Sequence, residues 1–515
     1  MNFSTQLSPK KRALLAGTLL LTGTGFLCRI LGFFYRIFLS RTIGAEGLGL
    51  YNMLYPIYGI CFALCAGSIQ TALSQYIASH MNRGRAIFRT GLCISMALSF
   101  ILAFLICQNA EFLATRVLME PRCSQYLPLM GVSVPFAAFN ACVNGYYYGS
   151  QKAKIPAFSQ VVEQVLRMSF VFIIANYWVE AGNVITVHLA VYGHLAGEAA
   201  AAIFAFLCLS ICPPQPRRKL PDDVSAQELI SNHLHNVATP LIMLALPLMG
   251  NRLVLNILAS AESIWIPSRL QMSGLSNSEA LSVYGVLTGM ALPFILFPSA
   301  ITNSMAVLLL PSVAQAQAEG NKSSIASSVS ISLRYSLYMG ILCIGIFTLF
   351  GNALGTSVFH DYSAGYYIEV LAWLCPFLYL ATTMGSILNG LGKTKTTFFH
   401  NVSAMLLRLA FVIFVIPKYG ILAYLWGMLA SETLLAFMHL WSLKKMTEIP
   451  WDAVEMIVKP TVLLLISIGI YYFLRGIINL SSILPLFLET AVWIIVIGLI
   501  YCGLLLIFHF GKKIK

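Results

Sequence analysis

Apolar runs of about twenty residues or more recur along the whole chain, each long enough to cross the roughly 30 Å hydrocarbon core of a bilayer as a helix. Inside hydrocarbon every backbone N–H and C=O must find a partner within the chain, so consecutive runs of this length predict a helical bundle. Cut at charged or turn-like stretches, they give about fourteen spans. The first is placed at 13–38, the second at 47–78, the eighth at 281–311 and the last at 484–509. Only 10% of residues are charged and 58% are hydrophobic, against about a quarter charged in soluble domains. The predicted fold class is therefore an all-α integral membrane protein.

The first span follows Lys10, Lys11 and Arg12 in the manner of a secretory signal. It is too long for one and has no small-residue cleavage site, so it reads as a retained helix. The net charge of +13 raises the question of nucleic acid, but the basic residues are sorted by side. Arg83, Arg85, Arg89, Lys152, Lys154, Arg217, Arg218, Lys219, Lys322, Lys393, Lys395, Lys444, Lys445, Lys512, Lys513 and Lys515 fall on the side of the N-terminus. Arg41, Arg116, Arg122, Arg269, Lys418 and Arg475 fall on the other. That asymmetry predicts both termini in the cytoplasm and no nucleic-acid partner. Of the twelve cysteines, Cys61/Cys65 and Cys208/Cys212 have helical spacing but no His or carboxylate cluster beside them. They read as small apolar packing residues, with no metal site.

The chain also repeats itself. "PFAAFNACVNGYYYGSQKAK" at 135–154 returns as "PFLYLATTMGSILNGLGKTK" at 376–395, matching Pro135/Pro376, Gly149/Gly390, Lys152/Lys393 and Lys154/Lys395 without a gap. The same offset pairs Arg167 with Arg408. With slightly different offsets, "EGLGLYNML" at 46–54 matches "EALSVYGVL" at 279–287, and "GHLAGE" at 193–198 matches "GMLASE" at 427–432. Two six-helix halves follow one another, and because six is even they are parallel repeats related by an axis along the membrane normal. This predicts an N-terminal lobe over 1–211, a cytoplasmic linker over 212–237, a C-terminal lobe over 238–446, and two further helices over 447–515. Repeats of this kind place a substrate cavity between lobes that alternate its access.

A charged side chain at the centre of a spanning helix costs about 2.5–3.5 kcal/mol on insertion scales, so each embedded one asks for a partner or a function. Arg29 and Arg36 are seven residues apart, which puts them about 20° from the same helix face. Gly25 and Gly32 lie on that stripe. Arg252, preceded by Asn251, sits midway through the seventh span, the repeat counterpart of the first. Arg29, Arg36, Asn251 and Arg252 are the substrate-binding candidates, because a guanidinium fork suits phosphate or pyrophosphate oxygens. Arg36 is also placed to snorkel to the headgroups. Glu163 and Arg167, at i,i+4, predict a helical ion pair. In the second half the Glu position is Ala404, so Arg408 must find another partner or face water. Glu198 and Glu432 are repeat mates that either serve close packing or bind a coupling ion. Pro240, Pro247, Pro293, Pro298 and Pro311 mark places where spans seven and eight are free to bend.

"CRILGFFYRIFLSRTIGAEGLGLYNMLYPIYG" at 28–59, "ALSQYIA" at 72–78, "GSQKAKIP" at 149–156 and "FPSAITNSMAVLLLPSVAQAQAEGN" at 297–321 resemble the polysaccharide-exporter branch of the multidrug/oligosaccharidyl-lipid/polysaccharide superfamily. The resemblance covers nearly the whole chain. It implies a fourteen-helix, two-lobed, alternating-access fold and the transport of lipid-linked sugars or peptidoglycan precursors, in a role tied to spore cortex formation. It also implies membrane lipids and cell-wall synthesis enzymes as neighbours. The related MviN-type lipid II flippases hold pyrophosphate with arginines on helices one, two and eight. Arg29 matches on helix one, with Arg36 about one position off. Helix two departs from that pattern with Tyr58 and Gly59, and helix eight departs with Pro293.

The expected function is thus a flippase of a lipid-linked oligosaccharide or peptidoglycan precursor. It needs no cofactor and is driven by membrane potential, H+ or Na+. A cation-coupled drug exporter is the nearest alternative, although it would want an acidic cavity. A membrane-embedded glycan-processing enzyme is more remote, because the chain shows no sizeable outer domain and no cluster of catalytic carboxylates.

Overall fold

Backbone groups withdrawn from water can be satisfied in a helix or in a closed barrel, and the computed structural model of this chain is built from helices. It describes residues 9–214, 237–447, 452–478, 480 and 484–510, and among these there is no strand. Most of the expected 212–237 linker and the basic residues Lys512, Lys513 and Lys515 lie outside the described residues.

Among the described residues fourteen helices are long and apolar enough to cross a membrane, but two boundaries differ from a one-run, one-span reading. The stretch Leu20–Ser79 is 60 residues long, about 90 Å at 1.5 Å per residue, and so too long for one crossing. It divides at Gly44, whose φ of 71° and ψ of −178° only glycine adopts readily. Conversely, Asn277–Leu296 and Ser299–Ala318 are joined by Phe297 (φ −60°, ψ −50°) and Pro298 (φ −64°, ψ −22°), both still in the helical region. They form one bent helix. The crossings are therefore α1 (9–43), α2 (45–79), α3 (Met81–Gln108), α4 (Leu127–Gly149), α5 (Lys154–Glu180), α6 (His188–Ile211) and α7 (Thr239–Met272). Then follow α8 (277–318), α9 (Lys322–Phe359), α10 (Tyr362–Gly390), α11 (Thr394–Tyr419), α12 (Ile421–Lys444), α13 (Val454–Ile477) and α14 (Leu486–Phe508).

The internal repeat reappears as a repeated packing pattern. In the first half α4 packs against α2, α3 and α6, and α5 packs against α6; in the second half α10 packs against α8, α9 and α12, and α11 against α12. The matched glycines show why the repeat kept them. A Cβ on Gly149 would come within 2.9 Å of the Ser74 carbonyl oxygen on α2, and one on Gly390 within 2.8 Å of the Leu310 carbonyl oxygen on α8. Each hub helix is pressed backbone to backbone against its neighbour at the same place. Helices α13 and α14 pack on each other and on α9.

Two compact units emerge, which exchange two segments relative to the sequence halves. One comprises 1–35 and 50–268, the other 36–49 and 269–515. Most of α7 thus joins the first half. Its Leu241 and Ala245, with Val237 just before it, are buried in a core with Ile69, Leu73 and Ile77 of α2, Phe88 of α3 and Tyr146 of α4. Residues 36–49 join the second half because Gly49 and Gly285 let α2 and α8 meet almost without side chains: a Cβ on Gly285 would lie 2.7 Å from the Gly49 nitrogen.

The cysteines are free thiols. Cys123, in the connector before α4, is buried, and this pushes its thiol up to about 12, where it stays protonated and unreactive.

Candidate functional site

Among the described residues five of the spanning helices carry a π segment, in which i→i+5 bonding widens one turn and skips a carbonyl of the α pattern. Three of these segments meet an arginine: Ala63–Gly67 in α2, Val286–Ala291 in α8 and Gly355–Phe359 in α9. In the first unit the Arg252 guanidinium occupies the space a Cβ on Gly67 would need. Its Nη2 donates to Thr71 Oγ1 at 2.9 Å, and the Thr71 hydroxyl donates to the Gly67 carbonyl at 3.1 Å. Further along α7 at helical spacing, Asn256 Oδ1 faces Gly59, and Ser260 Oγ donates to the Pro56 carbonyl at 3.3 Å. A polar stripe of Arg252, Asn256 and Ser260 therefore runs along α2.

In the second unit Arg36 Nη1 donates to the Thr288 carbonyl at 2.9 Å, inside the α8 π segment. Arg41 Nε donates to the Val358 carbonyl at 2.8 Å, inside that of α9. Arg36 is thus neither a lipid-headgroup anchor alone nor in the same unit as Arg29 and Arg252. Arg29 is exposed on α1 and Asn251 exposed on α7, both in the first unit. Of the two stripe glycines, Gly32 faces Gln164 of α5 at 3.6 Å, and Gly25 faces open space.

The embedded acids sort differently in the two halves. Glu163 and Arg167 form the ion pair their spacing predicts. Arg408, which lacks that partner, reaches across to Glu432 on α12, with Nη1 3.7 Å from Oε1. In the first half the mate of Glu432, Glu198, instead accepts a 2.8 Å hydrogen bond from the Tyr58 hydroxyl on α2. His194, one turn before Glu198, stands edge-on to Tyr58 with ring centroids 4.7 Å apart. Sequence reasoning did not single out His194, Thr71 or the buried Glu262 of α7. For the tyrosines a signal was present: Tyr51, Tyr55 and Tyr58, at i, i+4 and i+7, share one face of α2, and Tyr51 and Tyr55 are hydrogen-bonded at 2.7 Å. Among the described residues no three His, Cys, Asp or Glu side chains come together as a metal site.

Arg408→Ala is expected to lower stability by about 3 kcal/mol, because it strips the guanidinium from the largely buried Glu432 carboxylate. A thermal unfolding midpoint unchanged from wild type would show that the pair contributes nothing.

A duplicated, many-spanning helical bundle with arginines set inside its spans defines a two-lobed membrane transporter. The family model described as polysaccharide biosynthesis protein matches residues 14–317, more than half of the chain, and the chain belongs to that family. The MatE family model matches residues 266–414. Stage V sporulation protein B of Bacillus subtilis (strain 168) is 27% identical over 515 residues, 98% of this chain and 97% of the relative. Lipid II flippase MurJ of the same organism is 22% identical over 77% of this chain and 76% of its own. Among solved structures, lipid II flippase MurJ in an inward closed conformation matches with a TM-score of 0.66 at 14% identity, covering 96% of this chain and 100% of that one. An inward-facing multidrug resistance MATE family transporter matches with a TM-score of 0.63 at 14% identity, over 81% and 94%. These likenesses show a shared all-helical transporter fold.

Proposed function

We propose that this chain is an alternating-access flippase that carries an anionic, lipid-linked saccharide or peptidoglycan precursor across the bacterial cytoplasmic membrane during cell-wall or spore-cortex synthesis. One observation carries the reading: Arg29 on α1 and Arg252 on α7, the corresponding first helices of the two halves, belong to one compact unit. Two embedded cations carried by one unit suit a phosphate or pyrophosphate head group whose apolar tail stays in lipid. The full-length similarity to a sporulation protein and the similarity to a lipid II flippase support the same substrate class. The sorting of Lys and Arg supports cytoplasmic termini. No covalent chemistry is required of the chain.

The test is leaflet-resolved labelling of lipid-linked precursors with a membrane-impermeant reagent, in cells with and without the protein. Loss of outer-leaflet exposure of at least one precursor on deletion is expected. Unchanged exposure of every such precursor would sink the reading.

A further inference from the structure

Counting charges in the two equivalent polar clusters separates the halves. In the second half one guanidinium, Arg408, meets one carboxylate, Glu432. In the first half Arg167 is already paired with Glu163, and Glu198 is a second carboxylate beside that pair. The preceding residue sits against that pair: a Cβ on Gly197 would lie 2.8 Å from Arg167 Nε and 3.3 Å from the Glu163 carbonyl oxygen. Glu198 is only 7% exposed. When both acids are ionised, the first cluster holds one negative charge too many in a low-dielectric interior, where an uncompensated charge is unfavourable.

We propose that Glu198 is a proton-binding site, taking up one proton per chain, and that the second half has no equivalent. The groups around it fit a proton. From α2, Tyr58 donates to its carboxylate, while Tyr55 and Tyr51 continue the hydroxyl row. From α5 come Glu163 and Arg167, and from α1 Tyr35 lies against Gly193 of α6. On α6 itself, His194 is 3% exposed, and neither ring nitrogen has a hydrogen-bond partner. A buried imidazole with both nitrogens unused, one turn from the acid and against the same tyrosine, is placed to hand a proton to the site or receive one from it. The bond made is O–H on the Glu198 carboxylate, and the bond broken is an O–H of hydronium from the bulk solvent, which leaves as water. A sodium ion would ask for several oxygen ligands, and the structure brings Glu198 one phenol oxygen. The use of this proton to drive transport rests on the proposed function; the site itself does not.

The experiment is an infrared difference titration of the full-length protein in lipid nanodiscs, following the carbonyl stretch of protonated carboxyl groups as pH is lowered. A titrating band is expected that Glu198→Gln abolishes and Glu432→Gln leaves in place. Glu163→Gln should abolish it too, since Arg167 then turns to Glu198 as Arg408 does to Glu432. Tyr58→Phe, which keeps the carboxyl and removes its donor, should move the midpoint to higher pH by about one pH unit. Adding sodium should leave the midpoint in place. A band that survives Glu198→Gln or Glu163→Gln, or a midpoint displaced by sodium, overturns the proposal. Because no substrate is present, failure of the flippase reading leaves this result intact, and a negative titration leaves leaflet exposure to be judged separately.

Discussion

Arg252→Ala is expected to reduce outer-leaflet exposure of the transported precursor at least about tenfold, the effect of losing one charge-assisted hydrogen bond of roughly 1.5–3 kcal/mol. The argument has two strands, since Arg252 both presents a cation on α7 and fastens α7 to α2 through Thr71. Arg252→Lys separates them. Lysine keeps the charge but loses the planar fork, so partial transport with a near-normal thermal midpoint identifies the charge as the larger contribution. Gly67→Ala gives an independent approach, because its methyl group would lie 2.3 Å from Arg252 Nη1 and so displaces the guanidinium while the arginine itself is kept. It should mimic Arg252→Ala in both transport and stability. Full transport in all three variants at normal expression would remove Arg252 from the mechanism.

Gly285→Ala should destabilise the protein by about 3 kcal/mol, the upper range for forcing atoms into a closed contact. Its neighbours at that point are backbone: the Ala45 carbonyl and the Gly49 nitrogen, the latter at 2.7 Å from an added Cβ. Backbone cannot change rotamer, so the helices must separate. Gly250→Ala in α7 is the control, since nothing lies within 4 Å of its added Cβ. It should be neutral, or stabilising by up to about 1 kcal/mol from helix propensity. Equal thermal midpoints for the two variants would show that the α2–α8 crossing is slack.

The helices, the repeat and the embedded arginines were legible because hydropathy and spacing are local properties of the sequence. The Glu163–Arg167 pair was legible for the same reason, lying within one helix turn. What stayed hidden depends on long-range neighbours or on departures from the 3.6-residue period. Nothing in the sequence at 63–67, 286–291 or 355–359 announces a π turn, so the carbonyls that receive Arg36 and Arg41 could not be foreseen. Tyr58, which looked like a gap in a pattern of arginines, is the donor to Glu198. The partner of Arg408 is on the very next helix: the repeat makes Glu432 the mate of Glu198, and only packing joins it to Arg408. Arg29 and Arg36 share a stripe on one helix, yet they belong to different units, because the chain crosses from one unit to the other between them.

The acceptors for Arg36 and Arg41 are main-chain oxygens of Thr288, Ser357 and Val358, which has a consequence for how sequences of this kind can drift. A side-chain acceptor can be lost by a single codon change, whereas a carbonyl is present whatever residue stands there. Positions 288, 357 and 358 are therefore free to vary among residues that tolerate the π turn, while positions 36 and 41 are not. Variation across this region should be lopsided, with constancy on the donor side and latitude on the side that receives.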